Sequence, residues 1–237
     1  MIIDDASASH GVKTLDTLSV STLRDHVHRS LRQAILAGRL RTKDRVNERM
    51  LAEQLGVSTT PVKEALRQLE ADGLVETLPR RGVIIRFDFG WAEEMILARA
   101  ALESMVSRLA AQRITAIEKE RMSDVLSRMR LATENADAKE LILMNETFHD
   151  AIHDIARGSY LRRLIDRQQF YDAGARLVIH SDPTERALAL AEHAEIGEAI
   201  IACDPGRAES AMRDHVMRAG DTYLALIFKT DGDKASD

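Results

Sequence analysis

The chain has 237 residues, 45% hydrophobic, 30% charged and only 4% aromatic, which excludes a disordered chain and suits two domains with aliphatic, mostly helical cores. A single cysteine, Cys203, excludes an internal disulfide, no apolar run is long enough to cross a bilayer, and the start MIIDDASASH lacks the basic and apolar segments of a secretory signal, so a soluble, cytoplasmic protein without a membrane partner is expected. The formal charge of −5 hides an asymmetry: Val20 to Arg86 holds 13 Lys and Arg against 8 Asp and Glu, whereas Asp88 onward holds 19 against 27, so only the front suits a polyanion.

Residues 1–18 show no sustained period and read as a flexible tail. In STLRDHVHRSLRQAILAG, Leu23, Val27, Leu31 and Ile35 recur at four-residue steps before Gly38, which predicts a helix. NERMLAEQLG predicts a short second helix capped by Asn47, with Leu51 and Leu55 inward and Gly56 at its end. STTPVKEALRQLEADG predicts a third, with Ser58 as cap, Val62, Leu66 and Leu69 as its buried stripe and Gly73 as terminator. Pro61 fits its first turn, where the amide it lacks would have had no helical partner. LVETL and GVIIRF, separated by PRRG, predict a hairpin with two arginines and Gly82 at its tip, so residues 19–88 read as a winged helix-turn-helix.

From Trp91 the pattern is helical, with helices expected at 91–113, 115–133, 138–157, 159–179, 184–202 and 205–228. No repeat at a fixed period is present, so these six helices read as an antiparallel bundle over residues 90–228, followed by a second tail at 229–237. The expected fold is therefore mainly α: an N-terminal winged helix-turn-helix plus a C-terminal all-α bundle.

The second helix of a helix-turn-helix lies in the major groove with its N-terminal residues nearest the DNA. Ser58, Thr59, Thr60 and Lys63 then form the contact, since hydroxyls and free amides at a helix start donate to phosphate oxygens. Arg67 lies on the outward side of that helix, and Arg49, Arg80 and Arg81 can flank the groove. Any one of these cations alone reads equally well as part of a solvated face.

The stretches LRQAILAGRL and NERMLAEQLGVSTTPVKEALRQLEADGLVETLPRRGVII resemble the N-terminal domain of GntR-family transcription regulators over nearly its whole length. The resemblance implies DNA contacts at Arg49, Ser58, Thr59, Thr60, Lys63 and Gly82, binding to a palindromic operator, and a homodimer. Thr59 stands where the family often has arginine, and Lys63 where arginine is usual. ARAALESMVSRLAAQRI and LMNETFHDAIHDIA resemble the helical FCD effector domain of the FadR branch, in its shorter, VanR-like six-helix form. That likeness implies a divalent metal, Zn or similar, at Asn145, His149, His193 and His215, with Asn145 where an Asp is usual. It also implies a small carboxylate effector, with Arg99 facing its pocket.

Spacing bears on these positions separately. Asn145 and His149 are i and i+4 and project from one helical face, beside the stripe of Leu141, Met144, Phe148 and Ile152. His193 and His215 lie among apolar residues and face inward, a set that suits a metal and equally suits hydrogen-bonded core histidines. His153, also four residues from His149, shows that such spacing arises freely in this chain. Arg99 can grip a carboxylate bidentately or pair with Glu103 at i+4, and Gln168, Gln169 and Tyr171 cluster as candidate polar lining. A regulator that is not an enzyme is expected. The alternatives are a metal-dependent hydrolase built on the bundle histidines, for which no carboxylate is evident as base, and a winged-helix scaffold that binds only protein.

Overall fold

The structure, a computed structural model, describes residues 23–168, 177–179 and 181–228. The two expected tails, and with them Gln169 and Tyr171, lie outside the described residues.

The front part holds α1 (Leu23–Leu36), β1 (Arg45–Val46), α2 (Glu48–Leu55), α3 (Thr59–Ala71), β2 (Val75–Leu78) and β3 (Gly82–Ile85). Val27, Leu31 and Ile35 form the buried stripe of α1, whereas Leu23, expected in that stripe, is exposed at the helix start. Asn47 caps α2 by accepting from the Met50 amide at 2.8 Å, and Gly56 closes it with φ of 65°. Helix α3 buries Val62, Ala65, Leu66 and Leu69 and carries Pro61 in its first turn. The sheet is ordered β1-β3-β2 and antiparallel, with Val75 opposite Ile85 and Val46 opposite Val83. Strand β1 is absent from the sequence reading, because two residues carry no period-two signal.

The back part holds α4 (Phe89–Arg113), α5 (Ala116–Glu134), α6 (Ala138–Ala156), α7 (Ser159–Arg167), α8 (Pro183–Ile201) and α9 (Pro205–Phe228). Its starts are fixed by side-chain caps: Asp88 on the Trp91 amide, a reciprocal Thr115–Glu118 capping box, Asp137 and Asp182. Helix α7 stops at Arg167 instead of running to 179, and Gln168 caps it through a turn. Residues 177–179 are again helical, so apolar periodicity in this region spans more than one element. Among the described residues, no helix is long and apolar enough to cross a membrane.

Two cores result. One, around Phe148, Ile152, Ile196 and Met212, fills the bundle. The other fills the winged part but also takes in Ala92, Met95 and Ile96 of α4 and Tyr223 and Leu224 of α9. Tyr223 is fully buried and donates its hydroxyl to the Leu36 carbonyl at the end of α1, at 2.8 Å. Helices α4 and α9 approach so closely that a Cβ at Gly220 would lie 2.5 Å from Ile96 Cγ2. The helix that carries His215 is thus, with α4, one that abuts the winged part.

Candidate functional site

Ser58, Thr59, Thr60, Lys63, Arg67, Arg49, Arg80 and Arg81 are all exposed. Ser58 is the N-cap residue of α3 by backbone geometry, yet its hydroxyl makes no capping hydrogen bond. The reading of Ser58 as a side-chain cap is therefore corrected: the residue is exposed and its hydroxyl makes no capping bond, which leaves it available beside the first-turn amides of the helix start. Lys63 pairs with Glu48 at 3.4 Å, both half exposed. Such surface pairs are worth roughly 0–1 kcal/mol, too little to hold the lysine away from a phosphate. Gly82 is only partly exposed and has φ of 82°, and a Cβ there would lie 2.8 Å from the Val46 carbonyl oxygen. Its geometry answers first to the close approach of β1 to β3.

In the bundle, α6, α8 and α9 bring His149, His193 and His215 together, with one ring nitrogen from each lying within 4.8 Å of the others. Ring centroids are 4.5 Å apart for His193–His215 and 5.5 Å for His149–His215. Phe148 packs edge-on to His193 at 4.9 Å and walls the cluster from the core. His149 borders a cavity, but its Nδ1 is buried without a hydrogen bond. Burial, aided by His215 and Arg99 against an opposing pull from Glu103, depresses the His149 imidazole to about 3, so it is neutral near pH 7. His215 Nδ1 lies 2.8 Å from Glu192 Oε2. Arg218 grips both oxygens of Glu192 and reaches Glu185 Oε2 at 2.6 Å. Burial raises the Glu192 carboxyl, but hydrogen bonds from His215 and Arg218 outweigh it and lower it overall.

The donor set fits a divalent cation. It offers three neutral-capable imidazoles, one with an orphaned buried nitrogen, and one imidazole backed by a carboxylate as metal-bound histidines usually are. Asn145 lines the same cavity, of about 90 Å³, together with Arg99, Glu103, Glu185 and Arg218.

Of the two roles that the sequence left open for Arg99, the structure shows the pairing with Glu103. Arg99 donates to Glu103 Oε1 at 2.8 Å, four residues on, and it lines the histidine cavity. The pair is not a surface one, since Glu103 is 1% exposed. Glu103 also accepts from His153 Nε2 at 3.0 Å. Burial raises its carboxyl, but the His153 hydrogen bond and electrostatic attraction to His149 and Arg99 prevail and hold it at about 2. The spacing of His153 from His149 thus has a separate cause, a buried hydrogen bond to Glu103. Gln168 is not in the histidine cavity. It lines another, of about 290 Å³, with Arg32, Asp72 and Trp91, between the winged part and the bundle. Nothing in the sequence points to Glu192, Arg218 or Glu185, or to the pairing of Glu103 with His153, because these partners lie far along the chain.

The pattern described as "Bacterial regulatory proteins, gntR family" matches residues 23–85, and that of the FCD domain matches residues 94–218. A probable D-xylose utilization operon transcriptional repressor of Paenarthrobacter nicotinovorans is 30% identical over 223 residues, covering 92% of this chain and 95% of that protein. The HTH-type transcriptional repressor RspR of Escherichia coli is 24% identical over 212 residues, covering 86% and 90%. The solved structure of E. coli McbR/YncC matches with a TM-score of 0.61 at 22% identity, over 87% of this chain and 99% of that one, a likeness of fold.

Proposed function

Because the chain belongs to the GntR family of bacterial regulatory proteins and carries an FCD domain, it is a DNA-binding transcription regulator and not an enzyme, and we propose that it works as an effector-gated homodimer. It reads a palindromic operator through the start of α3, with Ser58, Thr59, Thr60 and Lys63 on the DNA. Arg67, Arg49, Arg80 and Arg81 act on the flanking phosphates, and Gly82 shapes the wing. The observation that carries this reading is the exposed, hydroxyl-rich start of α3, whose cap side chain is left uncommitted. A dimer presents two such tips to half-sites about 34 Å apart. Support for a second copy comes from α4, where Leu97 and Met105, two turns apart, are 51% and 42% exposed. Action on DNA places the protein in the cytoplasm.

His149, His193 and His215, with the Asn145 oxygen, hold a divalent metal in the manner of the FadR branch, and zinc suits that set. When bound, the ion offers a Lewis-acid seat to one oxygen of a carboxylate effector. Arg99 supplies further hydrogen bonds, because Glu103 and the Gln168 carbonyl engage only part of its five donors. Charge limits the effector. Arg99 and Arg218 stand against Glu103, Glu185 and Glu192, so the site alone has one excess negative charge, and a divalent ion turns this into one positive charge. A single carboxylate then balances it. A second cavity, of about 230 Å³, shares Arg99, Glu103, Asn145 and His149 with the one of about 90 Å³, so charge and not volume limits the effector. To regulate, the effector must bind one arrangement of the dimer better than another.

The test is a thermal-shift series on the zinc-loaded protein. Monocarboxylates are expected to raise the melting temperature more than di- and tricarboxylates, since ligand at 100 times its Kd adds about 2.7 kcal/mol. No response to any acid, with or without zinc, would contradict the effector reading.

A further inference from the structure

Building on the metal reading above, we propose that Glu192 is a positioning residue of the histidine site. Clamped by Arg218, it fixes His215 with Nε2 toward the ion and supplies the negative charge that Asn145 leaves out of the inner set.

The geometry is specific. A carboxylate paired with an arginine is an acceptor only, so the ring nitrogen 2.8 Å from it must be the one that carries hydrogen. His215 therefore donates through Nδ1, and its lone pair resides on Nε2. The carboxylate is itself held: Arg218 reaches one oxygen through Nε and the other through Nη2, at 2.9 Å, a two-pronged grip that fixes its plane. The free end of the same guanidinium is fixed by Glu185 at 2.6 Å. Glu185 and Glu192 stand seven residues apart on α8, and His215 and Arg218 three apart on α9, so each pair shares a helix face. The four make a ladder between the two helices, and the imidazole is its last rung.

Among the described residues nothing comparable backs His149, whose Nδ1 is buried without a hydrogen bond. Charge gives the ladder a second purpose. Three imidazoles and an amide oxygen bring no negative charge to a divalent ion, whereas Glu192 places one a single ring away. Carboxylate partners of this kind raise the basicity of the histidine they hold, and their loss typically costs about 10- to 100-fold in metal affinity.

The experiment measures zinc affinity of the full-length protein by competition with a chromophoric chelator, alongside the melting temperature of each metal-free form. Glu192→Gln keeps the shape but can turn either its oxygen or its NH₂ to the ring, so the tautomer is no longer dictated. Its zinc affinity is expected to fall about 10- to 100-fold. Its metal-free melting temperature should move by no more than about 2–4 °C, the shift that ~1 kcal/mol produces in a chain of this size. Adding Asn145→Asp, which puts a charge in the inner set without rebuilding the ladder, is expected to recover at least tenfold. Arg218→Gln, which frees the carboxylate but leaves its charge, should weaken zinc less than Glu192→Gln. A Glu192→Gln protein within twofold of the wild type, or no recovery with Asn145→Asp, overturns the proposal while the metal reading stands. A wild-type protein that takes up no zinc overturns both.

Discussion

Metal-free protein is expected to lose stability from pH 6.5 downward, before ordinary carboxylates begin to protonate. The perturbed group is His149, whose imidazole is lowered from 6.5 to about 3 by burial. Between these values the unfolded chain binds a proton that the folded chain refuses. The unfolded state is then favoured as the pH falls, and this contribution is fully present only above pH 6.5. At 1.36 kcal/mol per unit, the whole shift corresponds to about 5 kcal/mol, of which about 2 kcal/mol is lost by pH 5. Glu103 adds a second loss of the same sign lower down. Its carboxyl falls from 4.5 to about 2, so its contribution holds above pH 4.5 and disappears toward pH 2. Urea denaturation of chelator-treated protein at pH 7.5, 6.5, 5.5 and 5 measures the first loss, and His149→Gln should flatten the curve across that window. A wild-type curve that is flat from pH 7.5 to 5, or an imidazole signal of His149 titrating near 6.5, would refute the reasoning.

Tyr223→Phe removes the hydroxyl that satisfies the Leu36 carbonyl inside the front core, and should destabilise the protein by about 1–2 kcal/mol in chemical denaturation. Gly220→Ala and Gly197→Ala, both within helices, should differ in outcome. The new methyl at 220 meets the stiff, buried Ile96 at 2.5 Å and should cost about 1–3 kcal/mol, more than the ~1 kcal/mol gained by replacing a helical glycine. At 197 it meets the outer end of Leu126, which is only partly buried and can turn aside, so the variant should unfold at a urea concentration no lower than the wild type.

Local chemistry made much of this legible. Five of the six bundle helices begin and end within two residues of the expected bounds, because Asp88, Thr115, Asp137, Asp182, Pro183 and Pro205 mark their starts. The exception, α7, stops at Arg167, where apolar periodicity alone cannot show that a helix yields to another element. His193 and His215 were legible as inward-facing and His149 as lying beside the apolar stripe of its helix, but their convergence within 4.8 Å depends on how α6, α8 and α9 pack. The charged groups around them were not legible. Glu192 meets His215 and Arg218 at separations of 23 and 26 residues, and Glu103 meets His153 at 50. No helical period links such distances. Arg99–Glu103 is the exception, readable at i+4, although only the fold shows that the pair is buried.

The most direct measurement of the central claim, that the exposed start of α3 docks on duplex DNA, is the salt dependence of binding to a duplex selected by the protein from random sequence. Lys63→Ala should weaken binding, and its slope of log K against log salt should be shallower than the wild type's by about 1, with bundle helicity unchanged. A Lys63→Ala protein that matches the wild type in both affinity and slope would contradict the account.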